Sequence, residues 1–237
     1  MFDNYTLKAR YFPVILFLLP IVTLGFFYSL QFESIFHFLV SLGVIGSLTY
    51  LLSQLGRDKG KLKETSLWKE WGGTPSVQLL RLENSHLDKF TKQRYHQKLQ
   101  SLCPVVSPPD EEMEVKSLQE ADAIYQAWTK YLISQTRDNK KFYLLYKENT
   151  SYGFRRNLWG LRPLAITFSL CLLITNYLFW SLKLNTFNAQ AFPNGFVYST
   201  ISILAIILFW LFVVTKRWVK MVAFSYAERL CECADNL

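Results

Sequence analysis

Charge is missing from four stretches of this chain. Residues 11–30, 35–55, 163–182 and 196–215 contain no Asp, Glu, Lys or Arg. Each approaches or reaches the roughly 20 apolar residues that cross about 30 Å of hydrocarbon. Coupled pumps carry ionisable groups at membrane depth, so this absence argues against a coupled transporter. Histidine is scarce: His37, His86 and His96 are the whole set. None has a carboxylate or second histidine at a diagnostic spacing. The chain has no G-x-x-x-x-G-K-[ST], no G-x-S-x-G, no H-E-x-x-H and no paired C-x-x-C. The cysteines are Cys103, Cys171, Cys231 and Cys233. The lone C-x-C near the C-terminus lacks a second ligand pair, and no disulfide framework follows. We therefore expect reduced thiols, no enzyme activity, no catalytic residue, no metal site and no cofactor.

Positive charge is also missing from one side. Every Lys and Arg lies before the first run, between the second and third, or after the fourth, except Lys183. Positive charge marks the cytosolic side of a membrane. The expected architecture is an all-α integral membrane protein with two helical hairpins, hence four spans, around a helical cytosolic domain. The parts are 1–55, 56–162 and 163–237, with both termini cytosolic and hairpin tips outside. The first run is too long for a signal peptide core and lacks a small-x-small cleavage site, so it reads as a retained span. The connection 31–34 makes the first hairpin tight.

The block 56–162 carries 19 basic and 13 acidic residues, a balance that favours anionic partners. Its helix signals are dense. Residues 61–71 form one expected helix, stopped by Gly72-Gly73. Thr74-Pro75 is an N-cap followed by proline at the first helical position. Ser85-x-x-Asp88 resembles a capping start for a helix to about residue 102, and Ser117-x-x-Glu120 is a capping box. Leu118, Ala121, Ile124, Tyr125, Trp128 and Leu132 recur at helical spacing on one face. A last helix, about 140–161, leads to Pro163 and the third span.

Periodicity in the 86–102 helix places Leu87, Phe90, Tyr95, Leu99 and Leu102 on an apolar side. Lys89, Lys92 and His96 fall opposite, as a solvated face. Arg94 and Lys98 project on the apolar side, one turn apart. They either snorkel or point into a subunit interface or an anion-binding pocket. Arg57, Lys59, Lys61 and Lys63 follow the second span, and Arg155 and Arg156, with Arg162, precede the third. Juxtamembrane cations of this kind hold anionic headgroups, and they are the other candidate ligand-binding residues. Within the membrane, Gly43 and Ser47 form a small-xxx-small face for close helix packing. Asn176, Thr175, Ser199 and Ser202 are candidates for helix packing or for a pore lining.

This layout, two hairpins around a basic helical cytosolic domain, resembles the small multi-span effectors of bacterial anti-phage systems, including those encoded beside nucleotidyltransferases. The resemblance is one of architecture and carries no functional residue with it. It implies a homo-oligomer, with a tetramer among the candidate states, that disrupts the inner membrane. The trigger would be a nucleotide, an oligonucleotide or a cytosolic regulatory protein. The competing reading is a non-catalytic membrane adaptor that docks a cytosolic partner. Membrane lipid is a partner under either.

Overall fold

The computed structural model describes residues 3–31, 35–103 and 108–237, without the side chains of 30, 31, 35–45 and 47. Among the described residues the fold is all-helical, with no strand. It opens with a helical turn, α1 (Asn4–Thr6), capped by Asp3, and a π-helical segment, Leu7–Tyr11. Then come α2 (Phe12–Gln31), α3 (Ile35–Trp71) and α4 (Pro75–Leu80). Next are α5 (Lys89–Leu102), α6 (Glu111–Lys116) and α7 (Leu118–Gln135). The chain ends with α8 (Tyr143–Leu184), α9 (Asn194–Leu208), a π-helical segment (Phe209–Val213) and α10 (Lys216–Glu232).

Among the described residues, three helical stretches are long and apolar enough to cross a membrane: Asn4–Ser29, Tyr143–Leu184 and Asn194–Val213. The second expected span, 35–55, falls in α3, and its first half lies outside the residues whose side chains are described. So do Gly43, Ser47 and His37, and most of the 31–34 connection.

Two expected breaks are absent. The 61–71 segment is the continuation of α3, and the 140–161 segment and third span are one helix, α8, with Pro163 inside it. Proline removes one N–H from the helix ladder and crowds the preceding turn. Packing of the surrounding helix outweighs that loss here. The Gly72-Gly73 stop is as expected: both residues have positive φ, 91° and 131°, which glycine adopts without a Cβ clash. Pro75 then opens α4.

The chain divides into two compact units: residues 1–63 with 153–219, and 64–152 with 220–237. These differ from the parts expected above, because residues 220–237 join the second unit. Ala227, Leu230, Cys231, Cys233 and Ala234 are buried with Val77, Leu79, Tyr95, Leu99, Tyr125 and Trp128 in its core. The core of the first unit joins α2, α8 and the π-helical segment after α9 through Val14, Phe17, Leu158, Leu161, Ala165, Trp210 and Val214. A smaller cluster, Trp180, Phe192 and Phe196, closes its other end.

Candidate functional site

In the first unit, Lys63 and Arg162 meet backbone carbonyls that the helix ladders leave over. Pro163 has no N–H, so the Trp159 carbonyl one turn earlier has no ladder donor. Lys63 Nζ donates to that carbonyl at 3.4 Å and lies 5.5 Å from the centre of the Trp159 ring. Arg162 stands over the same ring, its guanidinium carbon 5.0 Å from the centre. The π-helical segment ends at Val214, whose N–H goes to Phe209, and Thr215 N–H goes to Val213. Arg162 Nε and Nη2 donate to the carbonyls of Trp210 and Leu211 at 2.9 and 3.2 Å. Arg155 Nη1 donates to the Trp218 carbonyl at 3.0 Å and its guanidinium lies 4.5 Å over that indole.

Lys59 precedes Lys63 by one turn of α3, so the two share a face. Burial pushes the Lys63 ammonium below its ordinary pKa, and the positive charges of Arg162 and Lys59 push it the same way. Among the described residues, Lys59, Lys63 and Arg162 form no ion pair with a carboxylate. Arg57 differs, with Nε 3.4 Å from Asp58 and Nη1 donating to Gln54. Lys61 is exposed, and Arg156 is buried with Nε donating to Asn157 Oδ1. Asn157 is 1% exposed, and its Nδ2 donates to the Ala9 carbonyl at 2.7 Å.

Deeper in the apolar region, Asn176 is 3% exposed. Its Oδ1 accepts from the Tyr28 hydroxyl at 2.5 Å, and its Nδ2 donates to Ser199 and Thr200 at 3.2 and 3.4 Å. One amide thus ties α2, α8 and α9. Thr175 and Ser202 donate back to carbonyls of their own helices.

The second unit buries a polar cluster around the loop after α4. Glu114 accepts from Leu82 N–H, at 2.8 Å to Oε1, and from the Tyr125 hydroxyl at 2.6 Å. Lys92 Nζ donates to the carbonyls of Leu82, at 3.0 Å, and Asn84. His96 Nε2 lies 2.8 Å from the Leu80 carbonyl, which only accepts, so Nε2 carries the hydrogen. Arg81 grips Asp122 with two hydrogen bonds, at 2.8 and 2.6 Å. Burial pushes Lys92 and His96 below, and Tyr125 above, their ordinary pKa values.

This cluster corrects the reading of the 86–102 helix. Lys92 and His96, expected in water, are 4% and 6% exposed, while Phe90, expected inside, is 81% exposed. The helix is turned because loop carbonyls need donors, and an unpaired buried carbonyl costs about 1–3 kcal/mol. Arg94 follows Phe90 outward, with Nη2 3.1 Å from Asp235. Lys98 is half-buried. The caps also differ. Asp88, rather than Ser85, starts α5 by accepting from Thr91 N–H, and the Ser117 side chain makes no capping bond.

Of the candidate ligand residues, Arg57, Lys59, Lys61, Lys63, Arg155 and Arg156 belong to the first unit, and Arg94 and Lys98 to the second. Trp159 and the carbonyl role of Arg162 were not anticipated; the Arg162-Pro163 pair was the available signal. A cleft of about 200 Å³ in the second unit, lined by Lys141, Phe142, Tyr143 and Arg229 among others, holds none of the candidates. The cysteines are free, with burial pushing the Cys231 thiol up to about 12 and Cys233 to about 11. No group of His, Cys, Asp and Glu suited to a metal ion occurs among the described residues. No family model, curated protein or solved structure matches the chain.

Proposed function

We propose that this chain is a non-enzymatic, homo-oligomeric effector of the bacterial inner membrane, with four spans and both termini in the cytosol. A nucleotide, oligonucleotide or protein acting on its helical cytosolic domain, 56–162, releases it to disrupt the membrane, in defence against phage. The observation that supports the reading is the continuity of α8. One helix carries residues of the second unit and the apolar 163–182 stretch without a break. A change of state in the first ten residues of such a helix has a direct covalent route to the membrane. To control the spans, the trigger must bind the two states with different affinity.

Expression in bacteria with a membrane-potential dye, alone and with the neighbouring genes, tests the function. Depolarisation on release or triggering is the expected result. An unchanged potential in every combination rejects the effector. The topology is checked by a reporter fused after Leu237, which should be active only in the cytosol. A monomeric mass in detergent rejects the oligomer.

The adaptor reading has one observation in its favour. The Asn176 amide is fully engaged by Tyr28, Ser199 and Thr200 within one chain. A conducting path, if formed, therefore runs between copies. Stable capture of a cytosolic partner without depolarisation would select the adaptor.

A further inference from the structure

The first unit gathers positive charge that no described carboxylate answers. Lys63 and Arg162 approach one indole, Trp159, from two helices, at 5.5 and 5.0 Å from its centre. Both are anchored rather than loose. Lys63 is fixed by the Trp159 carbonyl that Pro163 leaves over, and Arg162 by the Trp210 and Leu211 carbonyls. Those anchors use one of the three Lys63 donors and leave the Nη1 pair of Arg162 uncommitted. Lys59 adds a third cation on the Lys63 face of α3. Burial, and then the neighbouring charges of Arg162 and Lys59, lower the proton affinity of Lys63. An anion bound among them offsets that repulsion.

Position indicates which anion. Arg162 directly precedes the charge-free 163–182 stretch, and Trp210 and Leu211 lie near the end of the Asn194–Val213 candidate span. The cations therefore sit where apolar helix ends and headgroups begin. A half-buried tryptophan suits that level, and basic side chains there attract anionic lipid.

We propose that Lys63 and Arg162, set at Trp159, together with Lys59 one turn away on α3, hold the phosphate of an acidic phospholipid headgroup. The site rests on the membrane reading above and specifies the lipid chemistry of that membrane. Nucleotides and inorganic phosphate share the chemistry, so the test separates the sources. Unlike diffuse attraction of a basic surface, the site depends on these residues rather than on net charge.

The test uses the full chain in a neutral detergent and reads its unfolding temperature. Phosphatidylglycerol should raise it by about 5 °C near saturation, while phosphatidylcholine should not. Lys59→Gln/Lys63→Gln should lose that rise. Lys8→Gln/Lys216→Gln removes the same charge elsewhere in this unit and should keep it. An equal rise in the Lys59→Gln/Lys63→Gln chain, or an equal loss in the Lys8→Gln/Lys216→Gln chain, overturns the site. The same rise from inorganic phosphate or a nucleoside triphosphate without lipid, lost in the first variant, overturns the lipid as its occupant. Should that variant fail to purify, exposed Lys59→Gln alone should lose a substantial part of the rise, and an unchanged rise overturns the site. Membrane depolarisation is read separately, so failure of the effector function leaves this result standing.

Discussion

Gly60 of α3 and Gly160 of α8 meet backbone to backbone. A Cβ on Gly160 would lie 2.4 Å from the Gly60 nitrogen, and one on Gly60 would lie 2.7 Å from Asn157 Oδ1. Side-chain hydrogens alone allow this approach, as in small-residue helix contacts. It brings Lys63 within reach of Trp159. Gly160→Ala should destabilise the chain by about 1–3 kcal/mol, the usual cost of overpacking. Gly46→Ala, where nothing lies within 4 Å, should be near neutral within the monomer. Unfolding in detergent compares the two; equal effects would contradict the close approach.

Glu114 serves two donors at once. Its removal leaves Leu82 N–H and the Tyr125 hydroxyl without their acceptor. Glu114→Ala should cost about 3 kcal/mol, the upper range for stranded buried donors. Tyr125→Phe removes only one bond and should cost about 1 kcal/mol. Denaturant unfolding of the two variants checks the order; a milder Glu114→Ala would mean that the loop is held otherwise.

His96 gives the second unit a pH dependence. Burial depresses its folded pKa below the ordinary value, and the ring is neutral when it donates to Leu80. Its unfolded pKa is about 6.5. Below that pH the unfolded chain takes up a proton that the folded chain resists, so stability falls as pH falls. The slope from this one group cannot exceed about 1.4 kcal/mol per pH unit. His96→Gln retains an N–H donor without titrating. Its stability should decline less between pH 7 and 5 than that of the natural chain, and parallel declines would remove His96 as the source.

Asn176→Leu should loosen the junction of α2, α8 and α9. Polar contacts between membrane helices contribute on average about 0.6 kcal/mol, reaching about 1.7. A loss of about 1 kcal/mol is expected, read by unfolding in mixed detergent. Tyr28→Phe, which removes one of the three bonds, should lose less. A gain in stability from Asn176→Leu would show that the amide is strained rather than helpful.

The sequence alone determined that the described residues are helical and where three of the four expected apolar runs lie, because those properties are summed over many neighbouring residues. The Gly72-Gly73 stop and the Pro75 start were legible for a local reason: backbone dihedrals there depend on the residue itself. The face of α7 was legible in large part: Ala121, Tyr125, Trp128 and Leu132 are buried together at helical spacing and Ile124 is half-buried, while Leu118 at the helix start is exposed. The rotation of α5 was not. Apolar periodicity balances side chains against water and takes no account of the Leu80, Leu82 and Asn84 carbonyls, which draw Lys92 and His96 inward. The inclusion of residues 220–237 in the second unit likewise has no local signal, because it depends on contacts with residues far earlier in the chain. Tertiary structure decided the candidate site for the same reason. The chain shows that Lys63 and Pro163 exist a hundred residues apart, but only packing of α3 on α8 gives the carbonyl freed by that proline to that lysine.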